Sequence, residues 1–313
     1  MLTRIVRLLT LALLGWSWNA CVWAADAVVA VMHSERGSGY SAVSDAVQSE
    51  LQRSATVGEV IVGYAKEGAD VERVFKKSPK AVLSLGAVAL RTLLATDTRV
   101  PIVAALIPRA TFEKLLREPG RKSTGAVYGI FLDQPFGRQL DLMHLVQPEV
   151  RRVGVLWGPE SVQQRHFLQA ALAARGWSES AGVVDSNVTL GEATQRALDD
   201  ADALLAVADP AVYNSTTVSN VLMASYRAKL GVFAFSPAYV KAGAVAALYS
   251  TPAQIGAQAA ETVRVLVRGG SVAPMQYPTD FSVIVNEHVA RSLGVSIDEA
   301  TLLERLKRME RKP

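Results

Sequence analysis

Short apolar runs rich in β-branched residues alternate along the chain with longer stretches in which apolar residues recur every three or four positions. The short runs are typical of buried strands, and the longer stretches predict amphipathic helices. Their regular alternation indicates parallel βαβ units. In the first half, strands are predicted at residues 27–32, 59–64, 81–85, 101–107 and 125–130, with helices at 41–53, 71–77, 87–95 and 111–117.

At Pro135 the pattern starts again instead of continuing. A helix at 136–146 leads into strands at 153–157, 182–185, 203–208, 232–235 and 244–249, with helices at 161–175, 190–198 and 216–229. A helix at 252–268, a strand at 282–286 and helices at 288–292 and 298–309 complete the chain. The sequence therefore predicts an α/β protein of two doubly wound, Rossmann-like lobes.

The amino terminus has the layout of an export signal. Arg4 and Arg7 precede an apolar run at residues 8–14, which is too short to cross the ~30 Å hydrocarbon core of a bilayer. Small or medium residues at 22–24 suit cleavage, so we predict a signal peptide over residues 1–24 and a periplasmic protein. A lipid anchor at Cys21 is the less favoured alternative, because Trp18 and Asn19 fit a lipoprotein signal poorly.

Composition excludes several classes of chemistry. The chain has 1 cysteine, so the predicted mature protein would have neither disulfides nor cysteine-ligated metals.

The net charge of +4 comes from 33 basic and 29 acidic residues, and the basic tail at 305–312 contains no aromatic residue. A solvated helix end explains that tail better than a nucleic-acid surface, so we expect no nucleic-acid partner.

Residues 37–42 read Gly-Ser-Gly-Tyr-Ser-Ala, which matches a dinucleotide fingerprint. The preceding strand is predicted to end near Met32, however, and this leaves a loop too long for the tight turn of that motif. Glu67 lies farther away than the ribose-binding acid expected about 20 residues on. We interpret the segment as a loop whose backbone amides, at a helix start, can hold an anion.

No catalytic set is evident in the sequence. The 4 histidines are scattered without metal-ligand spacing, and the chain contains neither a Gly-x-Ser-x-Gly elbow nor a Walker phosphate loop. We therefore expect no catalytic residue, no metal and no cofactor.

Polar and aromatic residues follow the predicted strands, at the edge where open parallel sheets bind ligands. Each is also an ordinary turn or helix-cap residue. They lie at residues 33–35, 64, 86–87 and 107–109 in the first series, and at 157–161, 185–186, 209–210 and 236–239 in the second.

Several segments together resemble a known family. They are Leu-Ser-Leu-Gly-Ala-Val-Ala at 83–89, Thr-Gly-Ala at 124–126, residues 147–156, Ala-Asp-Pro at 208–210, Gly-Ala at 243–244, residues 255–260, Val-Asn at 285–286, Ala290 and Leu-Gly at 293–294. With them the chain resembles the periplasmic substrate-binding proteins of ABC transporters, in the group that includes tryptophan- and tyrosine-binding members.

The resemblance implies a type I periplasmic binding protein fold in which closing lobes trap a small molecule. Three crossings are expected near residues 132–135, 246–249 and 275–283. The N-terminal lobe would comprise residues 25–133 plus 247–275, and the C-terminal lobe 134–246 plus 276–313. The implied partners are a small-molecule ligand and the membrane permease of a cognate ABC transporter, and we expect a monomer.

The resemblance also selects candidate ligand-binding residues. Helix-start amides after Gly86 and Ala87 suit a carboxylate, and Asp209 or Glu160 suits an amine. The other candidates are Ser34, Ser161 and Ser236, with Tyr40, Tyr64, Trp157 and Tyr239 for a flat ring. The chain departs from the family pattern at Ala87, where a hydroxyl residue is common, and at Gly158-Pro159, where Asn-Pro is usual. The first departure removes a donor that could hold a carboxylate.

The leading hypothesis is a periplasmic solute-binding protein that captures an amino acid, possibly aromatic, and delivers it to an ABC importer. One alternative is a ligand-sensing accessory protein for a membrane signalling receptor. The other is an exported α/β enzyme, which would need a clustered acid–base pair that the sequence does not assemble.

Overall fold

The computed structural model describes residues 27–53, 57–295 and 298–310. The predicted signal peptide and Cys21 lie outside the described residues. In the described part of the chain, two six-stranded sheets are each flanked by helices. This arrangement confirms the predicted α/β architecture of two lobes.

The first sheet contains the apolar runs from the beginning of the chain. Its strands are β1 (Val28–His33), β2 (Glu59–Tyr64), β3 (Ala81–Leu85), β4 (Ile102–Ile107), β5 (Val127–Phe131) and β11 (Met275–Gln276), in the order β11-β5-β4-β3-β1-β2. All of these strands pair in parallel. Its helices are α1 (Ser38–Arg53), α2 (Gly68–Lys76), α3 (Ala87–Leu94), α4 (Arg109–Arg117) and α10 (Pro252–Val267).

The second sheet repeats this plan with one antiparallel edge strand. Its strands are β6 (Arg152–Trp157), β7 (Ser178–Val183), β8 (Ala203–Leu205), β9 (Gly231–Ala234), β10 (Ala246–Tyr249) and β12 (Ser282–Val285), in the order β12-β10-β9-β8-β6-β7. Only the pairing of β12 with β10 is antiparallel among the described strands of this sheet. Its helices are α5 (Phe136–Val146), α6 (Arg165–Ala173), α7 (Leu190–Leu198), α8 (Val218–Arg227), α9 (Pro237–Ala242), α11 (Glu287–Ser292) and α12 (Glu299–Glu310).

Strand side chains alternate between two buried faces. In β1, Val29 and Val31 pack against α1 and α10, whereas Ala30 and Met32 pack against α2, α3 and α4. A strand covered on both faces needs apolar residues at consecutive positions. This requirement explains why the inner strands are continuous apolar runs in the sequence.

The chain passes between the lobes three times, at residues 132–135, 250–251 and 277–281. The second passage was expected at 246–249, but these residues form β10, which pairs with β9 and β12 in the second sheet. Residues 247–249 therefore lie in the second lobe, and the chain returns to the first lobe where α10 packs against α1. Gln276, expected in the C-terminal lobe, pairs with β5 of the first sheet.

Two further elements differ from the prediction. The strand expected at 182–185 begins at Ser178, because the first three residues of the edge strand β7 are polar and give no apolar pattern. The short helix α9 was not among the predicted elements, and it begins with Pro237, whose fixed φ suits a first helical turn. Neither difference alters the order of the lobes.

Candidate ligand-binding site

A cavity of about 290 Å³ lies between the two lobes. All three connections contribute to its wall, together with the loop after β4 and the carboxyl ends of β8, β9 and β10. The residues that line it are Pro108, Leu132, Asp133, Gln134, Phe136, Gln139, Gln164, Ala206, Val207, Ala208, Phe235, Ser236, Pro237, Leu248, Tyr249, Ser250 and Tyr277. Sites for small molecules usually measure about 300–1,000 Å³, so the cavity fits a small solute.

Asp133 carries the one carboxylate among the described residues of this wall. Its Oδ2 accepts a hydrogen bond of 2.6 Å from the backbone N–H of Arg109, which caps the first turn of α4. Burial raises the pKa of Asp133, and the nearby Arg109 opposes that effect without cancelling it. A cation beside Asp133 would lower the cost of keeping this carboxylate charged.

The guanidinium of Arg109 is occupied by other partners. It donates to Glu113 at 2.7 Å and to the hydroxyl of Tyr277 at 2.8 Å. It also lies over the ring of Phe167, 4.1 Å from the ring centroid. Because Phe167 belongs to α6, this cation–π contact joins the two lobes.

Gln164 is a second polar residue of the wall. It is 3% exposed, and its Nε2 has no hydrogen-bond partner within the described ranges. By contrast, the side-chain amide of Gln134, which also lines the wall, donates to Ser250 and accepts from Arg138. An unpaired buried amide costs free energy that a ligand acceptor would recover.

Glu160 lies at a contact between the lobes. Its carboxylate accepts hydrogen bonds from Lys114 at 2.7 Å and from Thr111 at 3.0 Å, both on α4 of the first lobe. One turn further along α4, Arg117 donates to Gln163 at 2.9 Å. In this structure Glu160, expected to bind a ligand amine, binds the opposite lobe instead.

Asp209 and Ser161 hold the loop that carries Glu160. Asp209 is 2% exposed and accepts the backbone N–H groups of Glu160, Ser161 and Ala211 at 2.8–3.0 Å. The hydroxyl of Ser161 accepts the N–H of Gly158. A Cβ at Gly158 would collide with the Asp209 carboxylate, so only glycine fits there. In this structure Asp209, which was expected to bind a ligand amine, therefore binds backbone N–H groups of the protein.

Trp157 is 0% exposed and does not line the cavity. Its indole N–H donates to Glu179 at 2.6 Å, and its ring packs edge-on against Phe136 with centroids 6.3 Å apart. Phe136 lines the cavity, so Trp157 lies one layer behind the wall. Trp157, predicted to contact a ligand ring, therefore supports the wall through Phe136 in this structure.

Ser34, Gly86 and Tyr40 meet at the carboxyl edge of the first sheet. The Ser34 hydroxyl donates to the Leu85 carbonyl at 2.8 Å and accepts the N–H of Ala89, in the first turn of α3, at 3.0 Å. Gly86 has a φ of +88° and its Cβ would lie 2.7 Å from Ser34 Oγ and 2.9 Å from the Tyr40 hydroxyl. The position therefore requires glycine. None of the three lines the cavity.

Tyr64 and Ala87 belong to the same edge. The Tyr64 ring lies edge-on to His33 with centroids 5.4 Å apart, and the guanidinium of Arg36 lies 4.2 Å from its centroid. Ala87 is the first residue of α3 and half-buried. Neither lines the cavity, so the first-lobe candidates form a group of their own.

Of the predicted ligand-binding residues, Ser236 alone lines the cavity. It precedes α9, and its side chain caps no backbone N–H of that helix. Tyr239 packs on Phe235 with centroids 4.8 Å apart, so it supports the wall from behind. Asp133, Gln164 and Tyr277 were missed. Asp133 lay within the predicted crossing at 132–135, whereas Gln164 had no signal in the sequence.

The buried His33 predicts that the stability of the protein depends on pH. It is 2% exposed, neither ring nitrogen has a partner within the described residues, and burial lowers its pKa below 6.5 against a smaller opposing effect of Asp45. Below pH 6.5 the unfolded chain binds a proton at His33 more readily than the folded protein does. The free energy of unfolding therefore has its full His33 contribution above pH 6.5 and loses it as the pH falls.

We expect the free energy of unfolding of the His33→Phe variant to fall less between pH 7 and pH 5 than that of the unmodified protein. Urea denaturation at several pH values measures this difference. His288→Phe, at an exposed site on α11, is the control and should keep the original pH profile. Equal profiles for all three proteins would contradict the assignment.

Neither a membrane span nor a metal-binding cluster is found among the described residues. None of the helices in the described ranges combines the length and the apolar character that a membrane span needs. Across the same ranges, no three side chains of the His, Cys, Asp and Glu types gather around a common point suited to a metal ion.

Comparisons with solved structures identify the fold. A conserved domain protein from Vibrio cholerae O1 biovar El Tor is 22% identical, covers 89% of this chain and 98% of its own, and has a TM-score of 0.59. An ABC domain from Streptococcus pneumoniae in complex with L-Trp is 18% identical, with coverage of 88% and 97% and a TM-score of 0.58. A ligand-free, open substrate binding protein with adhesive properties from Clostridium difficile is 16% identical, with coverage of 87% and 96% and a TM-score of 0.68. These likenesses confirm the type I periplasmic binding protein fold.

Sequence comparison identifies the family. No curated protein matches the chain. A family model described as ABC transporter substrate binding protein matches residues 63–308, which contain most strands of the first sheet, all strands of the second sheet and all three connections. The chain therefore belongs to the family of ABC transporter substrate binding proteins.

Proposed function

We propose that this protein is a periplasmic solute receptor, which captures one small molecule between its lobes and delivers it to the membrane permease of an ABC importer. The observation that carries the proposal is the cavity of about 290 Å³ whose wall is shared by both lobes and all three connections. A ligand that contacts both walls stabilises the closed arrangement, because it binds that arrangement more tightly than the open one.

The contacts of α4 support a hinged closure. Lys114 and Thr111 reach Glu160 across the lobes, and Arg109 reaches Phe167. The side chain of Lys114 is about half exposed at 52%, so its ion pair contributes little to stability, on the order of 1 kcal/mol or less. Contacts of this strength can form and break as the lobes move.

The solute class that we propose is an amino acid or a close derivative, with an aromatic group. Phe136, Phe235, Tyr249 and Tyr277 supply aromatic surface to the cavity wall, and aromatic walls favour flat apolar groups. The complex of the Streptococcus pneumoniae relative with L-Trp supports the same class. We further propose that the protein acts as a monomer after export, with the signal peptide at residues 1–24.

Thermal unfolding in the presence of amino acids, aromatic amines, sugars and nucleosides tests the proposal. We expect one chemical class to raise the melting temperature, since a ligand at 100 times its Kd stabilises the folded state by about 2.7 kcal/mol. The ligand should be recovered unchanged after incubation. A protein that no solute stabilises, or one that converts its ligand into a product, would contradict the proposed function.

A further inference from the structure

The charges around the cavity are unbalanced. Asp133 contributes a carboxylate, and no Lys, Arg or His stands among the described residues that line the wall. Two cations contact wall residues from outside. Arg109 uses its guanidinium on Glu113, Tyr277 and Phe167, and only its backbone N–H reaches Asp133. Arg138 donates to Gln134 and is paired with Glu310. A free ligand carboxylate would enter this cavity without a cationic partner, whereas a ligand ammonium would find one.

An unpaired amide in the cavity wall also favours a ligand without a free carboxylate. Gln164 is buried, lines the cavity and offers an Nε2 donor that no protein atom in the described ranges accepts. A neutral acceptor such as an amide carbonyl satisfies this donor without bringing a second charge. Burying an unpaired charge costs far more than burying a hydrogen-bonded neutral group.

The helix-start amides expected to hold a carboxylate lie elsewhere. Gly86 and Ala87, at the start of α3, are absent from the wall. Within that turn the N–H of Ala89 donates to Ser34. The carboxylate half of an α-amino acid therefore has no cationic partner among the described residues of the wall, whereas its ammonium has Asp133 and its ring has aromatic neighbours.

We propose that the cavity selects aromatic amines that lack a free carboxylate, either decarboxylated or with the carboxyl group converted to an amide. In this arrangement Asp133 binds the ammonium and the aromatic wall contacts the ring, and in the amide derivatives the carbonyl oxygen also accepts from Gln164. The inference rests on the proposed function and narrows its solute class.

Isothermal titration calorimetry on two matched series tests the inference. The first is L-tryptophan, L-tryptophanamide, tryptamine and indole-3-propionate, and the second contains the four corresponding phenyl compounds. Each series keeps the ring and varies only the charged groups. We expect the amine and the amide to bind about 10- to 100-fold more tightly than the amino acid, and the propionate to bind least, since hydrogen bonds to charged groups are worth about 1.5–3 kcal/mol.

The Asp133→Asn variant separates charge from shape. An asparagine oxygen can still accept the Arg109 N–H, so the cap of α4 is kept while the negative charge is removed. We expect the amine to lose about 10- to 100-fold in affinity and its advantage over the amino acid to disappear. Asp185→Asn is the control, because Asp185 also accepts backbone N–H groups but lies in an exposed turn away from the cavity.

The possible results are distinct. An amino acid or propionate that binds as tightly as its amine would overturn the inference, as would an Asp133→Asn variant that retains the preference for amines. If neither series binds while a sugar or nucleoside does, the inference fails and the receptor function stands. If nothing in the wider screen binds, the proposed function fails as well.

Discussion

Replacing Asp209 by alanine is expected to lower the free energy of unfolding by about 3 kcal/mol, because three backbone N–H groups lose their acceptor at once and each is worth roughly 1 kcal/mol. Asp209 is 2% exposed, so water cannot readily take its place. Two of the three N–H groups belong to Glu160 and Ser161. The variant should therefore also loosen the contact of Glu160 with α4, and denaturation in guanidinium chloride measures the loss of stability.

Asp185→Ala is the matched control for this experiment. Asp185 also accepts two backbone N–H groups, from Asn187 and Val188, but in an exposed turn where water replaces it. We expect a loss of less than about 1 kcal/mol. Equal losses for the two variants would show that Asp209 does not organise its loop.

The second large effect is expected from Gly182→Ala. A Cβ at this position of β7 would overlap the backbone carbonyl of Ala193 in α7, and a backbone atom cannot move aside as the end of a side chain can. The helix would have to lift from the sheet. We expect a loss of about 3 kcal/mol in the free energy of unfolding, the upper part of the usual range for overpacking, measured by urea denaturation.

Gly191→Ala provides the control within the same strand–helix unit. The nearest atom to a Cβ there is Thr189 Oγ1, at 3.9 Å, and the residue lies in the first turn of α7. Alanine favours a helix over glycine by up to about 1 kcal/mol, so this variant should be as stable as the parent or more stable. If the free energies of unfolding of Gly182→Ala and Gly191→Ala are equal, the result contradicts the close approach of β7 to α7.

The inner strands could be predicted from the sequence because of how they are buried. A strand such as β4, with five of its six residues buried, needs an unbroken apolar run, and such a run is visible in a single sequence. The edge strand β7 begins with three polar residues, so its beginning at Ser178 was missed. β11 consists of 2 residues, too few to form any pattern.

The site was harder to predict because strand ends serve two purposes. Asp209 and Ser161 follow strands, as ligand-binding residues do, yet here both bind backbone N–H groups of the loop that carries Glu160. A single sequence does not distinguish a cap from a ligand contact, since both use the same residue types. Asp133 was overlooked for a related reason: it belongs to a connection, and the lobes must be assembled before the connections meet at one cavity.

The position of α10 has a consequence for biosynthesis. Ile255, Ala259 and Val263 of this helix complete the core formed by Val29, Val31 and Val47. A ribosome adds these residues only after it has made five of the six strands of the other lobe. The amino-terminal lobe, although it is translated first, must therefore wait with one flank of its sheet uncovered, and the two halves are expected to reach their native form together instead of one after the other.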